Sequence, residues 1–205
     1  MDFFYKDHIR ALGLGYPPDL PFDLEKNLRL LAAELLRWNK THNLTGHQDE
    51  KSVAVDLILD SLFLVPYIKG GALLDIGSGA GFPGLVLALA VPGLDVTLLE
   101  ARSKRVSFLK HAIRVLDLSG RTRAVLGRAG QGALLGERFV TVTCRALGSL
   151  KESLDLARPY AAPGGRVILP RGLKDRSAAQ DLGLTVAAYQ LPKPYGERIL
   201  ILADI

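Results

Sequence analysis

The stretch LLDIGSGAGFPG, residues 73–84, constrains this chain more than any other. A short apolar run containing Asp75 breaks into four glycines, Gly77, Gly79, Gly81 and Gly84. A strand that turns at once into a helix needs glycine where φ is unusual or where a ligand approaches the backbone. Such a turn belongs to a parallel sheet covered by helices, at the end of the strand where sheets of this kind bind ligands.

The rest of the chain agrees. Short β-rich runs at 72–76, 95–100, 122–126, 139–144, 166–170, 184–191 and 197–203 alternate with helical patterns. The clearest helix spans Ser103 to Leu118, closed by Gly120, and Ser149 with Glu152 spells a capping box for a helix through Ala157. The link PKPYG joins the last two runs and is too short for a crossover, so they pair antiparallel. Ahead of the sheet, Asp23 is a fair N-cap, and Leu24, Leu28, Leu31, Leu35 and Trp38 keep helical spacing. A second periodic stretch runs from Val53 to Val65. The expected fold is α/β, Rossmann-like. It has a mostly parallel seven-stranded sheet, an antiparallel C-terminal hairpin and a helical cap at residues 1–68 on a ligand-binding domain at 69–205, all in one compact unit.

Composition excludes other classes. One cysteine, Cys144, allows no internal disulfide, and no apolar run reaches the roughly 18 residues of a membrane span. The start, MDFFYKDHIR, lacks the apolar core of a signal peptide, so a cytoplasmic protein is expected. The net charge is +5, and from Arg102 to Arg128 eight basic residues face a single acid, Asp117. Charge gathered in one region suggests an anionic partner docking there.

Two ligands compete for the glycine turn. GAGFPG, residues 79–84, matches the letters of a dinucleotide fingerprint, but the turn already begins at Gly77, and Pro83 has no N–H to offer a phosphate. An acid at Asp75 would repel a pyrophosphate and suit a cation. S-adenosylmethionine has positive sulfonium and ammonium groups and no phosphate. Glu100 ends the second run about 20 residues on, the spacing for a carboxylate that accepts ribose hydroxyls from either nucleoside. Together Asp75 and Glu100 favour S-adenosylmethionine over NAD.

The segments LLDIGSGAGFPGLVLA, LLEARSKRVSFLK, GRA at 127–129 and CRALGSL at 144–150 resemble the bacterial small-subunit ribosomal RNA guanine-N7 methyltransferases. These are also called the glucose-inhibited division protein B family. WNKTHNLT, ILDS, PRG and GER extend the resemblance over nearly the whole chain. It implies a class I S-adenosylmethionine-dependent methyltransferase that acts on a loop guanosine of 16S ribosomal RNA or of the small subunit, as a monomer and without a metal.

The resemblance places Gly77, Ser78, Gly79 and Phe82 around the methionine and sulfonium part of the cofactor, with Asp75 at the strand's end. Glu100, with Ala101 beside it, matches the ribose-binding acid. Ala129 and Gly130 flank the adenine, and Arg145 lies where cofactor and target base meet. Asn43, Lys104, Arg105, Arg171 and Arg198 match positions that face RNA. Three features depart from the family. His42 stands where Tyr is usual, Asp56 and Leu57 where Arg-His is usual, and Gly130 where an acid is usual, which leaves backbone N–H groups to read the adenine.

Guanine N7 carries a free lone pair, so no general base is expected, and His8, His42, His47 and His111 read as surface or structural residues. Other acceptors leave no trace. TCRALGSL replaces the Asn/Asp-Pro-Pro-aromatic loop of amine methylation, and Cys144, the one candidate for attack at a pyrimidine carbon, reads as a small core residue. Two alternatives stay open. One is an NAD-dependent oxidoreductase, disfavoured by Asp75, Pro83 and the lack of a catalytic Tyr/Lys or His/Asp pair; the other is a non-catalytic RNA-binding or ribosome-assembly factor.

Overall fold

The computed structural model describes residues 21–132, 134–145 and 147–205. Its centre is one sheet of β1 (Ala72–Ile76), β2 (Asp95–Glu100), β3 (Thr122–Leu126), β4 (Phe139–Cys144), β5 (Ala161–Gly172), β6 (Thr185–Leu191) and β7 (Gly196–Asp204). The spatial order is β3-β2-β1-β4-β5-β7-β6. β3 through β5 pair in parallel, and β7 runs antiparallel between β5 and β6. Strand order reverses between β1 and β4, so a ligand crevice belongs above their carboxyl ends. This is the sheet read from the sequence.

Alternate residues of each inner strand serve opposite faces. Leu73 and Leu98 join the core built with α1 (Leu24–His42), α2 (50–62), α3 (Gly84–Ala90) and α4 (Ser103–Val115), around Leu28, Leu35, Ile58 and Phe108. Leu74 and Leu99 join the core under α5 (Leu150–Ala157) and α6 (Arg176–Asp181), with Leu154 and Ala179. Among the described residues the cap has no core of its own and packs on one face of the sheet. Trp38 of α1 meets Phe108 of α4 edge-on, ring centroids 5.7 Å apart.

Local signals were met unevenly. The Ser149–Glu152 capping box forms as read. Asp23 accepts from the Asn27 side chain at 3.0 Å instead of capping a backbone N–H. α4 is closed by Asp117, not Gly120. Asp117 takes a left-handed φ of 55°, its N–H donates to Arg114 at 3.3 Å, and Leu118 N–H donates to Ile113 at 2.9 Å. That pair of bonds with a buried apolar residue after it is a Schellman close. Inside α2, Val53–Leu59 is π-helical, and the Asp60 N–H turns to the Leu57 and Val55 carbonyls. β5 starts at Ala161, ahead of the apolar run, because Ala161 pairs with Phe139 before an irregularity in the ladder. His8 and the first 20 residues of the expected cap lie outside the described residues. No helix among those described is long and apolar enough to cross a membrane.

Candidate active site

β1 stops because Gly77 and Ser78 turn their N–H groups to the Leu99 carbonyl of β2, at 2.8 and 3.1 Å. Gly77, Gly79 and Gly81 hold φ of 69°, 57° and 93°, a region that side chains disfavour. Gly84 is needed for closeness instead: a Cβ there would stand 2.3 Å from Leu98 Cδ2 and 2.7 Å from Asp75 Oδ2. This packing seals Asp75 under the turn. Its Oδ2 accepts from Gly84 N–H at 3.1 Å, and its Oδ1 is buried with no partner among the described residues. Burial pushes the Asp75 carboxyl up to about 7.

The same turn decides against a dinucleotide. Pro83 has no N–H, Gly84 donates to Asp75, and Leu85 donates to the Gly81 carbonyl at 2.8 Å. These three positions offer a pyrophosphate no open amide.

Beside the turn lies a cleft of about 370 Å³ between the ends of β1, β2 and β3 and the loop after β4. Ile76, Leu99, Ala129, Leu147 and Leu156 give it apolar walls, and Arg102, Arg105 and Arg128 add positive charge. Glu100 is its one acid, 5% exposed. Its Oε2 accepts from Gly79 N–H at 2.9 Å and its Oε1 from Arg102 N–H at 2.8 Å, with the Arg105 guanidinium 3.7 Å away. A carboxylate has about four lone-pair sites, so two remain for a pair of hydroxyls.

The sequence-assigned residues divide around this cleft. Gly77, Glu100, Ala101 and Ala129 line it, and Gly79 fixes Glu100. Asp75, Ser78 and Phe82 are buried and shape the turn from behind. Gly130 turns its N–H to the Tyr160 hydroxyl at 2.8 Å, so that amide is engaged within the chain.

Arg145 follows Cys144, which pairs with Ile76 at the switch point. Its Nη2 donates to the Asp56 carbonyl at 2.9 Å and lies 3.3 Å from the Asp60 carboxylate. The Tyr189 hydroxyl donates to Asp60 at 2.7 Å, and Arg198 pairs with Asp56 at 2.5 Å. The second oxygen of Asp56 is 2.7 Å from His47 Nε2. Burial raises the Asp56 carboxyl, but the His47 hydrogen bond and the Arg198 and Arg145 charges outweigh it and hold it below its ordinary value. For Asp60 burial prevails and the carboxyl rises. Sequence reasoning assigned no role to Asp60 or Tyr189; the available signal was an acid inside an apolar helical stretch.

The RNA-facing assignments also divide. Lys104 and Asn43 are exposed, and Asn43 ends α1 with a φ of 48°. Arg105 lies at the cleft, and Arg198 at the seam between cap and sheet. Arg171 is held inside, with a side chain only 8% exposed. It donates to the Gly148 and Ser149 carbonyls at 2.9 and 3.3 Å and to the Ser153 hydroxyl. The basic segment is not one patch. Arg102, Arg105 and Arg128 flank the cleft, whereas Arg121 and Arg123 line a hollow at the other end of the sheet, where Arg123 pairs with Glu137.

Cys144 is a free core thiol that burial pushes up to about 11, as its reading as a core residue expects. His111 contacts Glu34 at 2.5 Å, His42 stacks near Trp38, and none of the described histidines lines the cleft. Among the described residues no group of three or more His, Cys, Asp or Glu is placed to hold a metal ion.

The family model for rRNA small subunit methyltransferase G, GidB, matches residues 24–190, from α1 into β6. The ribosomal RNA small subunit methyltransferase G of Myxococcus xanthus is 41% identical over 200 residues, covering 92% of this chain and 90% of that protein. The protein of the same name from Coxiella burnetii is 34% identical over 198 residues, covering 96% and 94%. Among solved structures, the C-terminal domain of precorrin-6Y C5,15-methyltransferase from Rhodobacter capsulatus aligns with a TM-score of 0.56 at 22% identity, over 71% of this chain and 86% of that one. A SAM-dependent methyltransferase from Thiobacillus denitrificans, in complex with S-adenosyl-L-homocysteine, aligns with a TM-score of 0.53 at 16% identity, over 64% and 66%. Those two likenesses are of fold. The sequence matches run from cap to hairpin, and the chain belongs to the GidB family of rRNA small subunit methyltransferases.

Proposed function

We propose that this chain transfers a methyl group from S-adenosylmethionine to N7 of a guanosine in a loop of small-subunit ribosomal RNA. The observation that carries the reading is Glu100, fixed by Gly79 and Arg102 in a cleft whose other walls are mostly apolar. That combination suits an adenosine held by its ribose hydroxyls and its ring, and the volume falls in the range of small-molecule pockets. Bound there, the cofactor supplies a methyl group on a positively charged sulfur. Asp75, Ser78 and Phe82 act by shaping the turn, and Ala129 and Gly130 by closing the adenine end.

The chemistry asks little else of the side chains. The N7 lone pair is already free to accept a methyl group, and no proton would have to leave, so the histidines need no part in it. The chain's contribution is alignment and exclusion of water. Arg102, Arg105, Arg128 and the exposed Lys104 meet phosphates beside the cleft. A base splayed out of a loop is the form in which RNA is mostly read. Residues 1–68 act as a cap on 69–205. The enzyme works as a monomer in the cytoplasm, its sheet covered on both faces by its own helices.

The test incubates the protein and methyl-labelled S-adenosylmethionine with small-subunit RNA and with small subunits, then identifies the labelled nucleoside. N7-methylguanosine is the expected product. Label in any other nucleoside, or none in either substrate, overturns the reading.

A further inference from the structure

Arg171 turns its guanidinium away from solvent and onto the loop that follows β4. Its Nη1 donates to the Gly148 carbonyl at 2.9 Å. Its Nη2 donates to the Ser149 carbonyl at 3.3 Å, to the Leu147 carbonyl at 3.5 Å and to the Ser153 hydroxyl. The Ser153 hydroxyl in turn donates to the Leu147 carbonyl. Three successive carbonyls that converge on one group need several donors in a fixed array. A planar guanidinium provides that array, where a lysine would bring one point charge on a flexible stem. The guanidinium is itself well anchored: Arg171 pairs with Ile199 between β5 and β7, and Asp175 stands 3.9 Å away.

The loop matters for what it carries. Gly148 holds a left-handed φ of 60°, and Leu147 before it lies over the first glycine of the turn. A Cβ on Gly77 would stand 3.1 Å from Leu147 Cδ1. Leu147 and Gly77 both line the cleft of about 370 Å³, and Arg171 does not. Arg171 therefore bears on the cleft only through this loop.

Resting on the reading of that cleft as the cofactor site, we propose that Arg171 is a positioning residue for S-adenosylmethionine: it fixes the loop after β4 so that Leu147 stays over Gly77 as a wall of the cleft. Its donors are taken by carbonyls of its own chain. RNA phosphates are left to the basic residues at the cleft mouth.

The test is S-adenosylmethionine binding by calorimetry, with amide exchange of residues 147–150 read in the protein without cofactor. Arg171→Met keeps most of the side-chain volume and removes every donor. Its loop amides exchange several-fold faster, and its cofactor Kd rises about tenfold. Leu147→Ala also raises the Kd. Adding Arg171→Met to it raises the Kd little further, because the wall that Arg171 positions is already gone. The dependence of log RNA affinity on log salt stays at the wild-type slope, where a lost phosphate contact would flatten it by about 0.7. Ser153→Ala, which removes the hydroxyl from the Leu147 carbonyl, shifts exchange and Kd by less and stands in if Arg171→Met does not fold. An unchanged Kd, loop amides that exchange at the wild-type rate, effects of Arg171 and Leu147 that simply multiply, or a flattened salt slope overturns the inference. If the wild type binds no S-adenosylmethionine, the reading of the cleft is what fails, and the exchange rates still decide whether Arg171 holds the loop.

Discussion

Arg198 on β7 and Asp56 in the cap stand 2.5 Å apart, joining the last strand of the sheet to a helix 142 residues earlier in the chain. The guanidinium that matches an RNA-facing position of the family is thus already engaged by a carboxylate where the family usually has a base. An RNA phosphate must displace that carboxylate to reach Arg198. Replacing Asp56 by Asn keeps one acceptor for Arg198, turns an amide N–H toward His47 Nε2 and removes the charge. Ribosomal RNA affinity should rise, and the dependence of log affinity on log salt should steepen by about 0.7, one phosphate's worth. Equal slopes for both proteins would leave Arg198 outside the RNA interface.

Glu100→Ala removes the acceptor that fixes the glycine turn and faces the cleft. S-adenosylmethionine affinity should fall by about 1–3 kcal/mol, measured by calorimetry, because two ribose hydroxyls are left without a partner. An unchanged Kd removes Glu100 from the cofactor site.

The divided basic segment makes a contrast between two double variants. Lys104→Ala with Arg105→Ala, beside the cleft, should flatten the salt dependence of RNA binding by about 1.4. Arg121→Ala with Arg123→Ala, at the opposite end of β3, should leave it unchanged. Equal effects from both pairs would mean that RNA senses only the overall charge.

Asp75 predicts how stability varies with pH. Its carboxyl rises from an ordinary 3.8 to about 7 on folding, so between those values the folded chain binds the extra proton. The resulting stabilisation is complete below about pH 4 and is lost as pH rises through 7, at up to about 1.4 kcal/mol per pH unit. Asp75→Asn does not titrate. The difference in unfolding free energy between wild type and variant, from denaturant titrations at pH 5 and pH 8, should therefore shift against the wild type at the higher pH. A constant difference would show that Asp75 titrates normally in the fold.

What could be read in advance follows the range of the interactions. The seven strands stood out because each is a short run of β-branched and aliphatic residues between turns, a local pattern. Glu100 stood out because its distance from the glycines is set by one strand–helix–strand unit. The Schellman close at Asp117 escaped because an aspartate there looks like any surface acid until Leu118 is seen buried behind it. Asp60 and Tyr189 lie 129 residues apart and meet only once β6 has been placed beside β7 and the cap laid over them. Arg171 was read by its match to an RNA-facing position of the family; only the folded loop after β4 shows its guanidinium turned inward to the Gly148 and Ser149 carbonyls. Motif spacing makes the glycine turn and Glu100 legible and leaves the seam between cap and sheet unread.

The π-helical stretch Val53–Leu59 gives that seam a tolerance of chain length. Asp60 follows it directly and reaches both Arg145 and Tyr189. A π-helical turn holds one more residue than the α-helical turn it replaces, closing bonds five residues apart instead of four. Deleting one residue between 53 and 59 would let that turn close as a plain α-helical turn, with the helix on either side left in nearly the same phase. Deleting one from the plain α-helical part of α1 would instead rotate all that precedes it by roughly 100°. The π-helical turn is the point in the cap where a residue can be lost while α1 keeps its seat and Asp60 keeps its reach.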